Sequence, residues 1–316
     1  DLPFNKTYSA AASEMTSTDG TNYAFLDGVS MQLFFYNKEI FNQLGLEEPK
    51  DFAELIEVVK TLKENGYGGV AYGGADVGGE WLFNALVLKG GAENYKNFAE
   101  GIDSGEITSG IRDNEPFYTA LKTMREYYKA GVLYENAETT KVVPSISLFA
   151  GKKTAIAMVP TGTIGVKKDY YPDIAEFGMF AVPSLVADPT AGAVGSQLNC
   201  IFSGSKNIEA AKTWLNWMAL PENTSLYIAK AKIISSVAGV EIKPEDFPEA
   251  EMLLNLASDM SVLPILNFKN GELWTPNLVE MRRNILFGAN TDVEKEIDKF
   301  EKFLQDLNLK DREIKK

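Results

Sequence analysis

Apolar and polar positions change rhythm along this chain. Ser30 to Tyr36 is an apolar, aromatic run with the length of a buried strand. A helix follows from Asp51, which caps it while Glu54, three residues on, returns the bond. Phe52, Leu55, Ile56, Val59 and Leu62 fall on one face. Gly66 stops that helix, and Gly68 to Tyr72 reads as a short second strand. Strand, helix and strand in succession predict a parallel crossover unit.

The middle of the chain reads as mostly helical. Phe117, Leu121, Met124 and Tyr128 form a stripe ended by Gly131, and Pro144 to Ala150 gives a shorter helix. Thr154 to Val159 and Phe177 to Val182 are apolar enough for central strands, and Leu198 to Ser203 is a strand that would bury Cys200. Asn207 caps a helix expected to pack Ala211, Trp214, Leu215 and Met218, with Trp217 also read as packing. In the last helix Thr291 and Glu294 are spaced as a capping box, ahead of Val293, Ile297, Phe300, Leu304 and Leu307. Alternating strands and helices predict an α/β fold with a mainly parallel sheet, whose ligands bind in loops beyond the strand ends.

Composition narrows the chemistry. The 316 residues contain no histidine and a single cysteine, which removes imidazole bases, Ser-His-Asp and Cys-His pairs, imidazole-bound zinc and any disulfide within the chain. A net charge of −13 opposes nucleic-acid phosphates and anionic membranes, with basic residues concentrated only in the tail from Lys310 to Lys316. The apolar runs fall short of the ~20 residues that a membrane span needs. The chain opens on Asp1-Leu2-Pro3-Phe4, so a targeting segment would lie upstream.

Glycines at 66, 68, 69, 73 and 74 miss the dinucleotide spacing, and Ile146 stands where a P-loop before Gly151-Lys152 needs glycine. Paired carboxylates could run glycoside hydrolysis; Asp27, Asp76 and Glu80 are the candidates beside apolar segments, although nothing in the sequence pairs them. Loop aromatics are the remaining signal. Trp81 in Gly78-Gly79-Glu80-Trp81-Leu82-Phe83 and Trp274 in Gly271-Glu272-Leu273-Trp274 could stack on sugar rings or pack the core beneath their loops.

Six segments then resemble one family in order. Tyr36-Asn37-Lys38-Glu39-Ile40-Phe41, Leu44-Gly45-Leu46 with Pro49, and Phe52-Ala53-Glu54-Leu55 resemble the Y-N-K-x-x-F, G-L-x-x-P and T-W-x-E-F run of the family 1 extracellular solute-binding proteins, the maltose-binding-like receptors of ABC importers. Phe52 stands in the place of that family's tryptophan. Phe149-Ala150-Gly151-Lys152 through Met158, Glu209-Ala210-Ala211 through Leu215, and Leu286-Phe287-Gly288 through Thr291 are similar to its later motifs.

The resemblance implies a periplasmic-binding-protein-like type II fold of two α/β lobes joined by a hinge. It implies a truncated N-terminal lobe, 1–27 and 196–244, lacking roughly a hundred family residues, the usual size of a domain, and a complete C-terminal lobe, 28–195 and 245–316. It further implies a binding protein rather than an enzyme, without cofactor or metal, that captures a mono- or oligosaccharide in the interlobe cleft and presents it to a membrane permease. Its location would be the extracellular face of the membrane, lipid-anchored, or the periplasm. Carried over residue by residue, the ligand positions are Ser30, Glu80, Trp81, Phe83 and Trp274, with Asp27, Thr163 and Gln197 flanking hinge or cleft loops. Gly162-Thr163-Ile164 stands where the family has G-x-W, so that stacking platform is missing. A carboxylate-based glycoside hydrolase and a remnant that no longer binds solute are the competing expectations.

Overall fold

The computed structural model describes residues 17–18, 21–163, 176–186, 192–195, 198–257, 261–263 and 269–307. A short antiparallel pair, β1 (Ser17–Thr18) and β2 (Thr21–Asn22), precedes β3 (Phe25–Leu26) and the long strand β4 (Gly28–Asn37). Helices α1 (Lys38–Leu44), α2 (Phe52–Glu64), α3 (Gly74–Val77), α4 (Glu80–Val87), α5 (Ala92–Asp103), α6 (Glu115–Lys129) and α7 (Val142–Ala150) follow. Then come β5 (Ile156–Pro160), β6 (Phe177–Ala181), β7 (Gly192–Gly195) and β8 (Leu198–Asn199). The chain continues through α8 (Ile208–Met218), α9 (Pro221–Ala231), β9 (Ile234–Ser235), α10 (Ala250–Leu256), β10 (Ser261–Leu263), α11 (Gly271–Phe287) and α12 (Val293–Leu307).

β4 organises the molecule because all ten of its residues are buried. Its even positions, Phe34 and Tyr36, enter a large core with α1, α2, α4, α5, α6, α11 and α12. Its odd positions, Met31, Leu33 and Phe35, enter a second core with α7, α10 and the end of α9. This period-two division makes a helix–sheet–helix sandwich. Along its length β4 changes partners: Gln32 to Asn37 lie against β5 and β6, whereas Gly28 to Met31 lie against β7 and β9.

All four of those pairings are antiparallel, and among the named strands only β10 with β7 is parallel, so the mainly parallel sheet expected from the sequence is corrected. The reason lies in β5, which occupies the edge of β4 that a simple crossover would fill. Gly68 to Ala71 therefore sits beyond β5, making isolated parallel bridges to Thr154, Leu133 and Ala157 rather than a strand beside β4.

Local signals were realised unevenly. Asp51 Oδ1 accepts from Glu54 N at 2.9 Å, and Glu54 Oε2 accepts from Lys50 N at 2.8 Å, closing the cap of α2. Phe117, Leu121 and Met124 of α6 are buried as read, but Tyr127 rather than Tyr128 turns inward and donates to Pro183 O at 2.7 Å. The Thr291–Glu294 box does not form; Asp292 Oδ1 accepts from Glu294 N at 3.0 Å, and the Glu294 carboxylate is taken by Arg112 and Tyr118. Those two partners hold its pKa below the usual carboxylate range, the Tyr118 hydrogen bond contributing most.

The start of β4 meets a smaller layer. β3 pairs with β8, and Phe25, Leu215, Ala219 and Val237 form a buried cluster beneath α8. The strand expected over Leu198 to Ser203 is limited to Leu198–Asn199, and Cys200 is exposed, which corrects its reading as a buried hydrophobe. Gly28 is required where the two layers join, because a Cβ there would sit 2.5 Å from the Ile234 carbonyl oxygen.

Candidate functional site

The residues singled out by sequence fall in three places. The first is a polar row on β4. Ser30 and Gln32 occupy the face that Phe34 and Tyr36 continue as core, yet both are polar and buried. Thr161, directly after β5, binds this row from the side: its hydroxyl lies 3.4 Å from Ser30 Oγ and accepts from Met31 N at 3.2 Å, while its own N–H donates to Met31 O at 2.9 Å. Gln32 Oε1 is buried with no hydrogen-bond partner among the described residues. Two hydroxyls and an amide oxygen thus gather where β4 exchanges one set of neighbours for the other. Thr163 follows two residues after Thr161 and is half-buried. Gln32 and Thr161 were missed from the sequence, although a glutamine inside an apolar strand is a readable signal.

The second place is α4. Glu80 is exposed and Trp81 half-buried, the indole meeting Tyr72 edge-on at 6.4 Å and 86°. Phe83, by contrast, is fully buried against Phe117 at 5.0 Å and Tyr95 at 6.0 Å, with the Arg282 guanidinium 5.0 Å from its ring centre. Phe83 is therefore a core side chain and not a ligand contact. Trp274, on α11, needs the same correction. It is 2% exposed, and its Nε1 donates to Asp103 Oδ1 at 3.0 Å. The Asp103 carboxylate also accepts from Lys269 N and Asn270 N, both at 2.8 Å, and so ties the start of α11 to the end of α5. An indole locked between two helices offers no face to a sugar ring.

The third place holds Asp27, at the end of β3 and 2% exposed. Asp27 lines a cavity of about 240 Å³ together with Trp214, Trp217, Asn223, Tyr227 and Lys230. The Tyr227 hydroxyl donates to Asp27, and burial, followed by that hydrogen bond and the carboxylate's charge, pushes Tyr227 up to about 12. Trp214 and Trp217 are 56% and 47% exposed, so the packing role expected of them is corrected. The buried side of α8 is Leu215 and Ala219, which turns the tryptophans outward. Gln197 lies outside the described residues. Asp27, Asp76 and Glu80 sit in separate surroundings: Asp27 in the small-layer cavity, Asp76 capping Val142 N at 2.8 Å, and Glu80 in the open. No group of three or more metal-ligating side chains occurs among the described residues, and none of their helices is long and apolar enough to cross a membrane.

Comparison with known proteins gives this arrangement its family. No curated protein matches the sequence. Among solved structures, the maltose-bound T. maritima MalE3 is 18% identical with a TM-score of 0.74, over 96% of this chain and 77% of that one. A sugar transporter of Bacillus licheniformis in complex with stachyose is 15% identical with a TM-score of 0.72, over 96% and 78%. The raffinose complex of RafE is 18% identical with a TM-score of 0.67, over 98% and 78%. At these identities the likeness establishes the α/β two-lobe fold. Residues 8–225 match the sequence pattern of the bacterial extracellular solute-binding proteins, which covers well over half of the chain. The chain belongs to the bacterial extracellular solute-binding protein family and is a binding protein, not an enzyme.

Proposed function

We propose that this chain is the receptor of a bacterial ABC importer, capturing a mono- or oligosaccharide on the outer side of the cytoplasmic membrane and passing it to a membrane permease. The observation that carries the reading is the agreement between family membership and fold: the sequence matches a solute-binding family, and structures sharing its architecture were solved with stachyose, raffinose and maltose. The polar row of β4 supports it, since hydroxyls and an amide oxygen at the junction of two layers are suitable partners for sugar hydroxyls.

In this proposal residues 1–27 and 196–244 belong to one lobe, and 28–195 with 245–316 to the other. Ser30, Gln32 and Thr161, buried in this arrangement, form the base of the cleft between them, with Thr163, Glu80 and Trp81 nearer its edge. Solute bridges the lobes and favours their closed arrangement, because that arrangement alone contacts it from both sides. A lipid anchor upstream of Asp1 holds the receptor at the membrane.

Thermal melts of the chain with maltose, raffinose, stachyose and chito-oligosaccharides test this. A sugar at about 100 times its dissociation constant adds about 2.7 kcal/mol to unfolding stability. Melting curves unmoved by every sugar at saturating concentration overturn the proposal and leave a remnant without solute.

A further inference from the structure

From Leu82 to Leu88 the chain is apolar except at Asn84, which is 7% exposed. The Asn84 side chain makes no hydrogen bond among the described residues, yet its amide atoms are not sealed from solvent as Gln32 Oε1 is. An amide set into an apolar helical turn is costly to bury unless something bonds it. Its carbons are therefore packed while its polar end opens on water, ready for a partner that the protein does not supply.

The packing of α4 sets this amide beside the polar row of β4. Met31 pairs with Ala193, and Gly192 continues that register toward Gln32, so Gly192 and Gln32 share a face of the sheet. A Cβ on Gly192 would meet Leu88 Cδ1 at 2.9 Å and Ala85 Cα at 3.4 Å. α4 and the turn after it thus lie across the face that carries Ser30 and Gln32. Trp81 falls on the same stripe as Ala85 and Leu88, and Asn84 stands one position round from it, on the flank that it shares with Glu80 four residues earlier. Burial deepens along this side of the helix, from the exposed Glu80 through the half-buried Trp81 to the buried Asn84. Asn84 therefore carries the wall that begins at the cleft's edge down to the base formed by Ser30, Gln32 and Thr161.

We infer that Asn84 is a solute-contacting, specificity-determining residue of the cleft, its amide reading ring hydroxyls from the helix while that of Gln32 reads them from the sheet. This rests on the saccharide reading above for the ligand, and on the packing of α4 for the position. Each amide offers a donor and an acceptor, and a ring hydroxyl both donates and accepts. Neighbouring hydroxyls of one ring thus satisfy groups that the protein leaves unbonded, Gln32 Oε1 among them. Selectivity follows, because a site built to bond a hydroxyl rejects a solute that lacks it far more strongly than an apolar pocket rejects one that adds it.

The test titrates the full chain calorimetrically with maltose, raffinose, stachyose and chito-oligosaccharides, as the parent and as Asn84→Leu and Asn84→Ala, and records the melting temperature of each without sugar. Asn84→Leu should keep or raise the sugar-free melting temperature, because the amide has no protein partner to lose. The same variant should weaken the sugar that binds the parent about tenfold, and Asn84→Ala should weaken it by a similar factor. Opposite signs in stability and affinity are what a merely structural asparagine would not give. Affinity within about threefold of the parent in both variants overturns the role of Asn84 and leaves the receptor reading standing. Sugar-free melting temperatures lowered by more than about 5 °C in both variants assign Asn84 to packing and overturn it as well. A parent that binds none of these sugars overturns the receptor reading, and the role of Asn84 falls with it.

Discussion

The core around α2, α4, α6, α11 and α12 and the small layer around α8 and α9 use tryptophan in opposite ways. In the first, Trp274 is sealed and its one polar atom is satisfied by Asp103. In the second, two tryptophans lie half in water, and the buried cluster beneath them is formed, among the described residues, by Phe25, Leu215, Ala219 and Val237. An apolar stripe is buried where enough helices surround it. Where, among the described residues, two helices meet a two-stranded pair, the same residue type is left on the outside. Tryptophan in a sequence therefore reports a capacity for contact, and the surrounding elements decide whether the chain itself fills it.

The contrast can be broken most directly at Trp274. Replacing Trp274 by alanine should cost about 3–5 kcal/mol in denaturant unfolding, the range for large aromatic truncations in a packed core, and a loss below about 1 kcal/mol would show that α11 is not anchored there. Alkali should act next. Burial raises the pKa values of Tyr72 and Tyr127 in the large core, and burial with the Asp27 hydrogen bond raises Tyr227 in the small layer to about 12. A raised folded pKa keeps the neutral phenol favoured, so this stability is complete below the unfolded value near 10 and is lost as pH climbs through the folded values. Unfolding free energy should fall as pH rises from 10 to 12, each buried tyrosine contributing at most about 1.4 kcal/mol per pH unit, and Tyr227→Phe should remove only its own share of that slope.

Asp103→Ala strips three N–H groups of their acceptor and should cost about 2 kcal/mol, read as a shift in urea midpoint with the slope unchanged. Arg112→Ala should cost about 0.5–1 kcal/mol and less in high salt, since its partners Glu294 and Asp298 are substantially exposed; an effect insensitive to salt would contradict a surface ion-pair network. The smallest effect belongs to the other side of the comparison. Trp217→Ala should change stability by no more than about 0.5 kcal/mol, so a large loss there would mean that the small layer depends on its tryptophans for its own packing.

Reading the chain alone reached the elements whose signals are local. The Asp51–Glu54 cap, the inward positions of α6 and the apolar stripe of α12 follow from spacing of three and four, which side chains on one helix obey whatever surrounds them. Strand partnership was not accessible in that way, because the antiparallel placement of β5 beside β4 depends on the whole helical layer between them. The site was legible in part. Ser30 lies in a real polar row, but the row was incomplete without Gln32 and Thr161, and the contacts of Thr161 with Ser30 and Met31 join residues 130 or so apart in sequence. Trp274 and Trp214 were exchanged in role because periodicity gives the side of a helix and not what stands opposite. Asp27 was named for its position beside a hinge, and the structure gives it a different setting, under two indoles.

Stacked indoles have an optical consequence. Two indoles with centroids 5.2 Å apart and planes 20° from parallel couple excitonically, and the far-ultraviolet dichroism of this chain should carry a couplet whose sign and size report the in-plane twist between their transition dipoles. The couplet disappears when either ring is removed and changes amplitude when anything slides across the pair. α8 therefore carries a built-in spectroscopic label that needs no attached dye.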